Sequence, residues 1–336
     1  MYKFYESPRH NVATRHTGNT VLWCPLCLGG SMFFLEKQVC LLGGRFLTRF
    51  IERNIYWIFP LPAALFILSM MAFPVIYTMW ISLTDWSMTS SGAAQFIGLQ
   101  NYTNLFKDPR FYNSIKLTLY FTILAVGVET VLGVGIALIL NRDFKGKNIV
   151  KGILLLPMVA TPVAIGLAWT LFYEPTIGLG NYLLQLMGLP VSNWLASNTS
   201  VIPSLAIVDI WEWTPMVTLI VLAGLAALPN DPYEAAMVDG ASQWQVFRYI
   251  TLPLLSPTIL VAVVLRGIDA FKTFDIIYTM TAGGPGFASE TLNIYAYNLG
   301  FGYFKFGAAS SALVALLALV LGSSLLVLWM RRSWDQ

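Results

Sequence analysis

Charge is what this 336-residue chain has least of. Lys, Arg, Asp and Glu make up 11% of it, against about 25% in a soluble domain. That scarcity, with 57% hydrophobic residues and a mean hydropathy of +0.66, excludes a soluble globular protein and points to a polytopic membrane protein. Histidine is rarer still: His10 and His16 both lie in the polar first stretch, so no apolar segment offers an imidazole for proton transfer or metal ligation. The three cysteines, Cys24, Cys27 and Cys40, also cluster near the N-terminus. Cys24-Pro-Leu-Cys27 is a single CxxC with no second pair and no following His at zinc spacing, which argues against a zinc site. GxxxxGK[ST], HExxH and GxSxG are all missing, so the phosphate-cradling loop, the zinc-hydrolase helix and the nucleophile elbow have no candidates. The chain is expected to perform no chemistry and to bind no ATP itself. An intramembrane enzyme, as an alternative, would have to work with carboxylates, Lys and hydroxyls alone.

What the chain has in abundance is long apolar runs. Residues 1–50 read as an N-terminal extension. Its apolar run over 21–35 is about 15 residues, short of the roughly 20 that a span needs, and it has no clear small-residue cleavage site. It could be an interfacial segment, a marginal extra span or sequence upstream of the true start. Strong hydrophobic segments follow at residues 55–83, 113–140, 149–173, 201–228, 257–280 and 306–330, each long enough for a tilted helix. They predict an all-α bundle of six transmembrane helices over residues 51–332. Cations give the orientation. Arg45, Arg49 and Arg53 precede the first span; Arg142, Lys145, Lys147 and Lys151 flank the second loop; Arg248 lies between spans four and five; Arg331 and Arg332 follow the last span. Alternation puts all of them on one side, the cytoplasm, with both termini there and the chain in the bacterial inner membrane. The opposite loops carry fewer, chiefly Lys107, Arg110 and Lys305. Ala308-xxx-Ala312 and Ser311-xxx-Ala315 give the last helix a small face for close packing.

Between spans four and five lies a polar island, residues 229–257, PNDPYEAAMVDGASQWQVFRYITLPLLSP. Asp231 can cap a helix, Pro232 suits its first position, and Glu234 sits three residues after Asp231 as in a capping box. Gly240 interrupts that helix, and Ser242 can cap a second one through Trp244, Phe247 and Tyr249. Pro253 and Pro257 are expected to end it and turn the chain into the fifth span. The spacing Glu234-Ala235-Ala236, three residues, Gly240, nine residues, Ile250-x-Leu252-Pro253 resembles the cytoplasmic loop of ABC-importer permeases without a departure. Asp239-Gly240-Ala241 makes it most similar to the permeases of binding-protein-dependent sugar importers of the maltose and glycerol-phosphate type. Phe96-Ile-Gly98-Leu-Gln-Asn101-Tyr102 and Gly283-Gly284-Pro285 resemble the same family at matching places.

The resemblance implies that residues 229–257 couple to a separate ATPase subunit. Glu234, Ala235, Ala236, Asp239, Gly240 and Ala241 are then the docking residues. The alanines leave a low-profile face, and Glu234 and Asp239 supply charge-assisted contacts. It also implies a second, similar permease, two ATPase subunits that hold ATP and Mg, an external solute-binding protein and a carbohydrate-like solute. No cofactor is expected on this chain, and no nucleic acid. A secondary transporter could use membrane charges for ion coupling, but would have no need of the elbow.

Charges inside the spans are the remaining signal. Arg266, Asp269, Lys272 and Asp275 recur every third residue on the fifth span, and the fourth adds Asp209 and Glu212. Ionisable groups at such depth cost on the order of 3 kcal/mol each, so they are expected to face protein or water. Counted from the span ends, Glu212 falls near the depth of Arg266, and Asp209 near that of Lys272. Two roles stay open: an ion network that fixes helix register, or a polar lining for solute. Glu129 in span two has no assignable partner. Aromatics at the outer ends (Trp169, Phe172, Tyr173, Trp211, Trp213, Tyr295, Tyr297 and Tyr303) suit either membrane-interface anchoring or stacking on a sugar ring.

Overall fold

The computed structural model describes residues 59–89 and 94–334. The N-terminal extension, with its cysteines, histidines, Arg45 and Arg49, lies outside the described residues, and so do Arg53 and the opening of the predicted first span. In chain order the helices are α1 (Leu61–Ser82), α2 (Gln100–Leu105), α3 (Pro109–Asn141), α4 (Lys147–Val159), α5 (Pro162–Phe172), α6 (Leu179–Leu186), α7 (Val201–Ala226) and α8 (Asp231–Val238). They continue as α9 (Gln243–Phe271), α10 (Asp275–Thr281), α11 (Leu292–Tyr297) and α12 (Phe306–Trp334). Among the described residues the only β pairing is an isolated bridge between Thr84 and Phe96. The chain divides into two compact units, Met1–Met70 and Met71–Gln336. The described part of the first is the opening of α1, and the packing below belongs to the second.

Among the described residues five helices, α1, α3, α7, α9 and α12, are long and apolar enough to cross a bilayer, and α4 with α5 makes a sixth span if the pair is counted as one. That pair corrects the expectation of a straight third span over 149–173, because its halves meet at 94°. The cause is local. Pro162 has no N–H to donate, and its ring disfavours the helical region for Thr161, which is extended at ψ 138°.

The fifth span departs from expectation at both ends. It starts at Gln243 rather than 257. Pro253 and Pro257 do not end the elbow helix, because a π-turn over Phe247–Thr251 precedes them, closed by the Leu252 N–H donating to the Phe247 carbonyl. That wider turn re-registers the hydrogen bonds, so the helix carries both prolines onward. At its far end α9 stops at Phe271. The Lys272 carbonyl accepts from Asn293 Nδ2 at 2.9 Å, and Asp275 opens α10 as a separate helix.

Helices α3, α7 and α9 form the centre of the bundle, packed through Ala137, Val217, Val221, Leu225, Leu255 and Ala262. Glycines set the closest approaches. A Cβ on Gly133 of α3 would lie 2.7 Å from Val217 Cγ1, and one on Gly224 of α7 would lie 2.6 Å from Thr258 Cγ2. The small face of α12 is buried as expected: Ser311 and Ala312 are fully enclosed, and Ala312 packs with Leu292, Tyr295 and Ala296 of α11. The opening of α3 is fixed by Asp108, whose Oδ1 accepts the Arg110 N–H at 2.9 Å, with Pro109 in the first helical turn. After α5, Glu174 tightens the turn into α6 by accepting the N–H groups of Ile177 (2.6 Å) and Thr176 (2.7 Å) and the Thr176 hydroxyl (2.8 Å). The Ile177 N–H first, then the Thr176 hydroxyl, hold that carboxyl below the usual carboxylate range.

Candidate functional site: a buried charge cluster and a surface elbow

The deepest polar feature joins three helices. Arg266 of α9 is 1% exposed, and its guanidinium meets Glu129 of α3 through Nε to Oε2 at 2.8 Å and NH2 to Oε1 at 3.2 Å. The same NH2 donates to Asp209 Oδ2 of α7. Trp213 lies against the guanidinium, with Cζ 5.3 Å from the ring centroid. Glu129 and Asp209 are fully buried, and so, at 1%, is Glu212. Glu212 makes no ion pair among the described residues, and its Oε2, like Asp209 Oδ1, accepts no hydrogen bond there.

This arrangement corrects the sequence-based pairing. Arg266 does face the bundle interior, but its partners are Asp209 and Glu129 rather than Glu212. Glu129, which the sequence leaves without a partner, is central. Lys272 does not meet Asp209. It pairs with Asp269 at 3.2 Å, and both side chains are about half exposed (56% and 44%). Asp275 is exposed at the start of α10. The break at Lys272 is why: the three-residue spacing would share one helical face only if α9 continued, and it does not.

The elbow keeps its expected helix–glycine–helix form with different caps. Asn230 occupies the cap position of α8 with no side-chain hydrogen bond, so the expected Asp231–Glu234 capping box does not form. The capping box is on the second helix. Gln245 N–H donates to Ser242 Oγ at 3.4 Å, and Ser242 N–H to Gln245 Oε1 at 2.7 Å. Helix α8 ends in a Schellman motif: Ala241 N–H reaches the Ala236 carbonyl at 2.9 Å and Gly240 N–H reaches Met237 at 3.2 Å, with Gly240 at φ +72°. Ala236 is buried and lines a small pocket with Val246, Tyr249 and Ile250 of α9, and Tyr233 Oη donates to Thr251 Oγ1 at 3.2 Å. Glu234, Ala235, Asp239 and Gly240 remain exposed, and Ala241 is partly so. Met237 and Val238, 78% and 88% exposed, add an apolar tip that sequence reasoning missed. Two large apolar side chains between Ala236 and Asp239 were the available sign.

A second polar cluster escaped the sequence altogether. Glu290 is fully buried between the Arg110 guanidinium, which grips it with Nε and NH2, and Asn298 Nδ2 at 2.7 Å. Arg110 also lies 3.9 Å over the Phe287 ring and donates to Tyr303 Oη at 3.1 Å. This clasp ties the segment between α10 and α12 to the opening of α3. The aromatics divide by burial. Tyr173 and Tyr295 are core residues, their hydroxyls donating to the Ser204 carbonyl (3.0 Å) and to Asp108 Oδ2 (2.8 Å). Trp169 and Trp211, 5.8 Å apart edge to face, instead border an apolar groove of about 630 Å³ between α3, the α4–α5 pair and α7.

Residues 129–335 match the family described as binding-protein-dependent transport system inner membrane components. The matched region holds Glu129, the whole elbow and all the other members of the buried cluster. The chain belongs to this family. The permease is 39% identical, over 80% of its length and 91% of the other protein's, to the trehalose/maltose transport system permease protein MalF of Thermococcus litoralis. It is 35% identical, over 77% and 84%, to the sulfoquinovosyl glycerol transport system permease protein SmoG of Agrobacterium fabrum. Its fold is similar to a chain in the crystal structure of a bacterial ABC transporter involved in the import of the acidic polysaccharide alginate, with a TM-score of 0.73 and 25% identity, covering 86% of the permease and 99% of that chain.

Proposed function

We propose that this chain is the sugar-translocating subunit of an ATP-driven importer, paired with a second permease and seated on two ATPase subunits that carry ATP and Mg. An external binding protein delivers a carbohydrate-like solute. The elbow faces the cytoplasm, where the exposed Glu234, Ala235 and Asp239 and the Met237–Val238 tip meet the ATPase.

One observation carries the reading: the helix that starts at the elbow's capping box runs without interruption to Arg266. From Gln243 to Arg266 it spans about 35 Å at 1.5 Å per residue. Displacement of α8, tied to α9 by the Tyr233–Thr251 hydrogen bond, therefore acts on the helix that is ion-paired to α3 and α7. The groove beside Trp169 and Trp211 supplies flat aromatic faces suited to sugar rings.

Gly240→Val tests the coupling, because φ +72° is a conformation that a β-branched residue rarely adopts. The variant is expected to assemble with its partners and keep basal ATP hydrolysis, while solute-stimulated hydrolysis and uptake fall at least tenfold. Normal stimulated hydrolysis and uptake would count against the elbow as the coupling element.

A further inference from the structure

We infer that a row of aromatic rings, at the end of α9 far from the elbow, binds the solute by stacking on its carbohydrate ring; this rests on the importer reading above. Six rings from four segments make the row. Phe274, in the break after α9, stacks on Tyr278 of α10, with ring centroids 5.1 Å apart and an interplanar angle of 14°. Both touch Tyr297 of α11, at 5.1 and 4.9 Å. Tyr297 continues to Phe301 at 5.1 Å, Phe301 to Phe306 of α12 at 6.2 Å, and Phe306 to Trp86, beyond the end of α1, at 5.0 Å. Phe301 is 63% exposed and Tyr278 38%, and the other four rings are partly exposed. The row is held from behind. Asn298, beside Tyr297, donates to the Glu290 carboxylate that Arg110 grips, and the Gly307 N–H, beside Phe306, donates to the Trp86 carbonyl at 3.0 Å. Rings fixed before the solute arrives lose little freedom on binding.

Charge beside the row separates a sugar site from a lipid anchor. Phe274 lies in the chain between Lys272 and Asp275, and Asp275 shares a face of α10 with Tyr278. Asp275 is exposed, and Lys272 with its partner Asp269 is half exposed. Ionisable side chains are not left against hydrocarbon, so this surface meets water or protein rather than lipid tails. Exposed aromatic faces bordered by exposed charges match the two sides of a sugar ring. Its C–H face packs flat on Phe, Tyr or Trp, while its rim of hydroxyls accepts hydrogen bonds from Lys272 and donates them to Asp269 and Asp275. The hydroxyls of Tyr278 and Tyr297 can do either. Neighbouring rings stand 4.9–6.2 Å apart, so a sugar can shift from one face to the next without leaving the row. The row shares no residue with the groove beside Trp169 and Trp211, and lies on the side where the solute arrives.

The test uses the complete importer, both permeases with ATPases and binding protein, in proteoliposomes, with maltose, trehalose and lactose as probes. Phe301→Leu keeps apolar bulk at an exposed position but removes the flat face, whereas Phe301→Trp keeps the face. Tyr278→Leu removes a second face at another point in the row. At subsaturating sugar, F301L and Y278L are each expected to lower uptake about threefold to tenfold, the size of one aromatic contact, with complex yield unchanged. F301W is expected to stay within about twofold of the unaltered importer. Unchanged uptake in both leucine variants would overturn the inference, and so would an F301W variant as impaired as F301L. A loss that excess binding protein relieves would overturn it too, by assigning the row to docking of that protein. If none of the three sugars stimulates ATP hydrolysis by the unaltered importer, the carbohydrate-importer reading fails and this inference with it, a result distinct from the others.

Discussion

Replacing Arg266 by Leu is the most severe change the structure offers at a single position. Arg266 is the only ion-pair partner that Glu129 and Asp209 have among the described residues, and all three are buried to within 1%. Removing one member of a buried pair costs about 3–5 kcal/mol, because the survivor keeps its desolvation penalty and loses its compensation. Here two carboxyls are stranded, so about 3 kcal/mol is the lower bound, a loss of at least roughly a hundredfold in the folded-to-unfolded ratio. Asp209→Leu is expected to cost less, since the Arg266–Glu129 pair that remains is neutral overall. The double variant should therefore be more stable than the sum of the two singles, with a coupling of about 1–3 kcal/mol in a double-mutant cycle. Asp269→Ala is the control. Its partner Lys272 is half exposed, and such pairs contribute about 0–1 kcal/mol. Thermal unfolding of the purified complex, followed by tryptophan fluorescence together with complex yield, reads all four variants. If R266L loses no more stability than D269A, or if Arg266 and Asp209 show no coupling, the cluster does not hold these helices together.

Gly133→Ala should destabilise by about 1–3 kcal/mol, because its Cβ would stand 2.7 Å from Val217 Cγ1 at the α3–α7 contact; adding Val217→Ala should recover part of the loss in the same unfolding assay. A chain begun near Gly43 is expected to assemble and transport like the full chain, since every member of the elbow and of the charge cluster lies after it; failure of the shortened chain to assemble with its partners would give the extension a structural role.

The helical class, the positions of most spans and the elbow were legible in the sequence because each rests on local chemistry. Apolar length marks spans, and glycine at φ +72° marks the break after α8. Misreadings arose where a local rule met tertiary or alternative local structure. Proline ordinarily ends a helix, but Pro253 follows a π-turn and sits in a first helical turn, where no N–H is needed, and Pro257 lies inside α9 without ending it. Asp231 and Glu234 have capping-box spacing, yet the helix begins one residue too early for Asp231 to cap it. Depth counting placed Glu212 against Arg266, whereas pairing also depends on helix face, and Asp209 lies on the face that Arg266 reaches. Glu129 and Glu290 carry no local signature at all. Their partners are 137 and 180 residues away in the chain. Only the packing of α3 on α7 and α9, and of the α10–α12 segment on α3, brings them together.

The cluster's position also determines what can move as one body. Glu129, Asp209 and Arg266 each come from a different central helix, and ion pairs of this geometry fix the relative register of those helices, because sliding any one by a residue would separate the charges by about 1.5 Å. The glycine contacts Gly133–Val217 and Gly224–Thr258 hold the same three helices at their closest approach. A displacement of any one of α3, α7 and α9 is thus carried to the other two. The neighbouring elements are attached differently. The α4–α5 pair bends at Thr161 and borders an apolar groove on α3 and α7, and α10 is separated from α9 by the break at Lys272. Neither has an ion pair to the central three among the described residues. Both segments are instead joined to the charged core by apolar packing, Ile165 of α5 and Ile276, Ile277 and Met280 of α10 lying with Phe121 and Ala125 of α3 and Leu205 and Val208 of α7, and such non-directional contacts set no register in the way the three ion-paired side chains do.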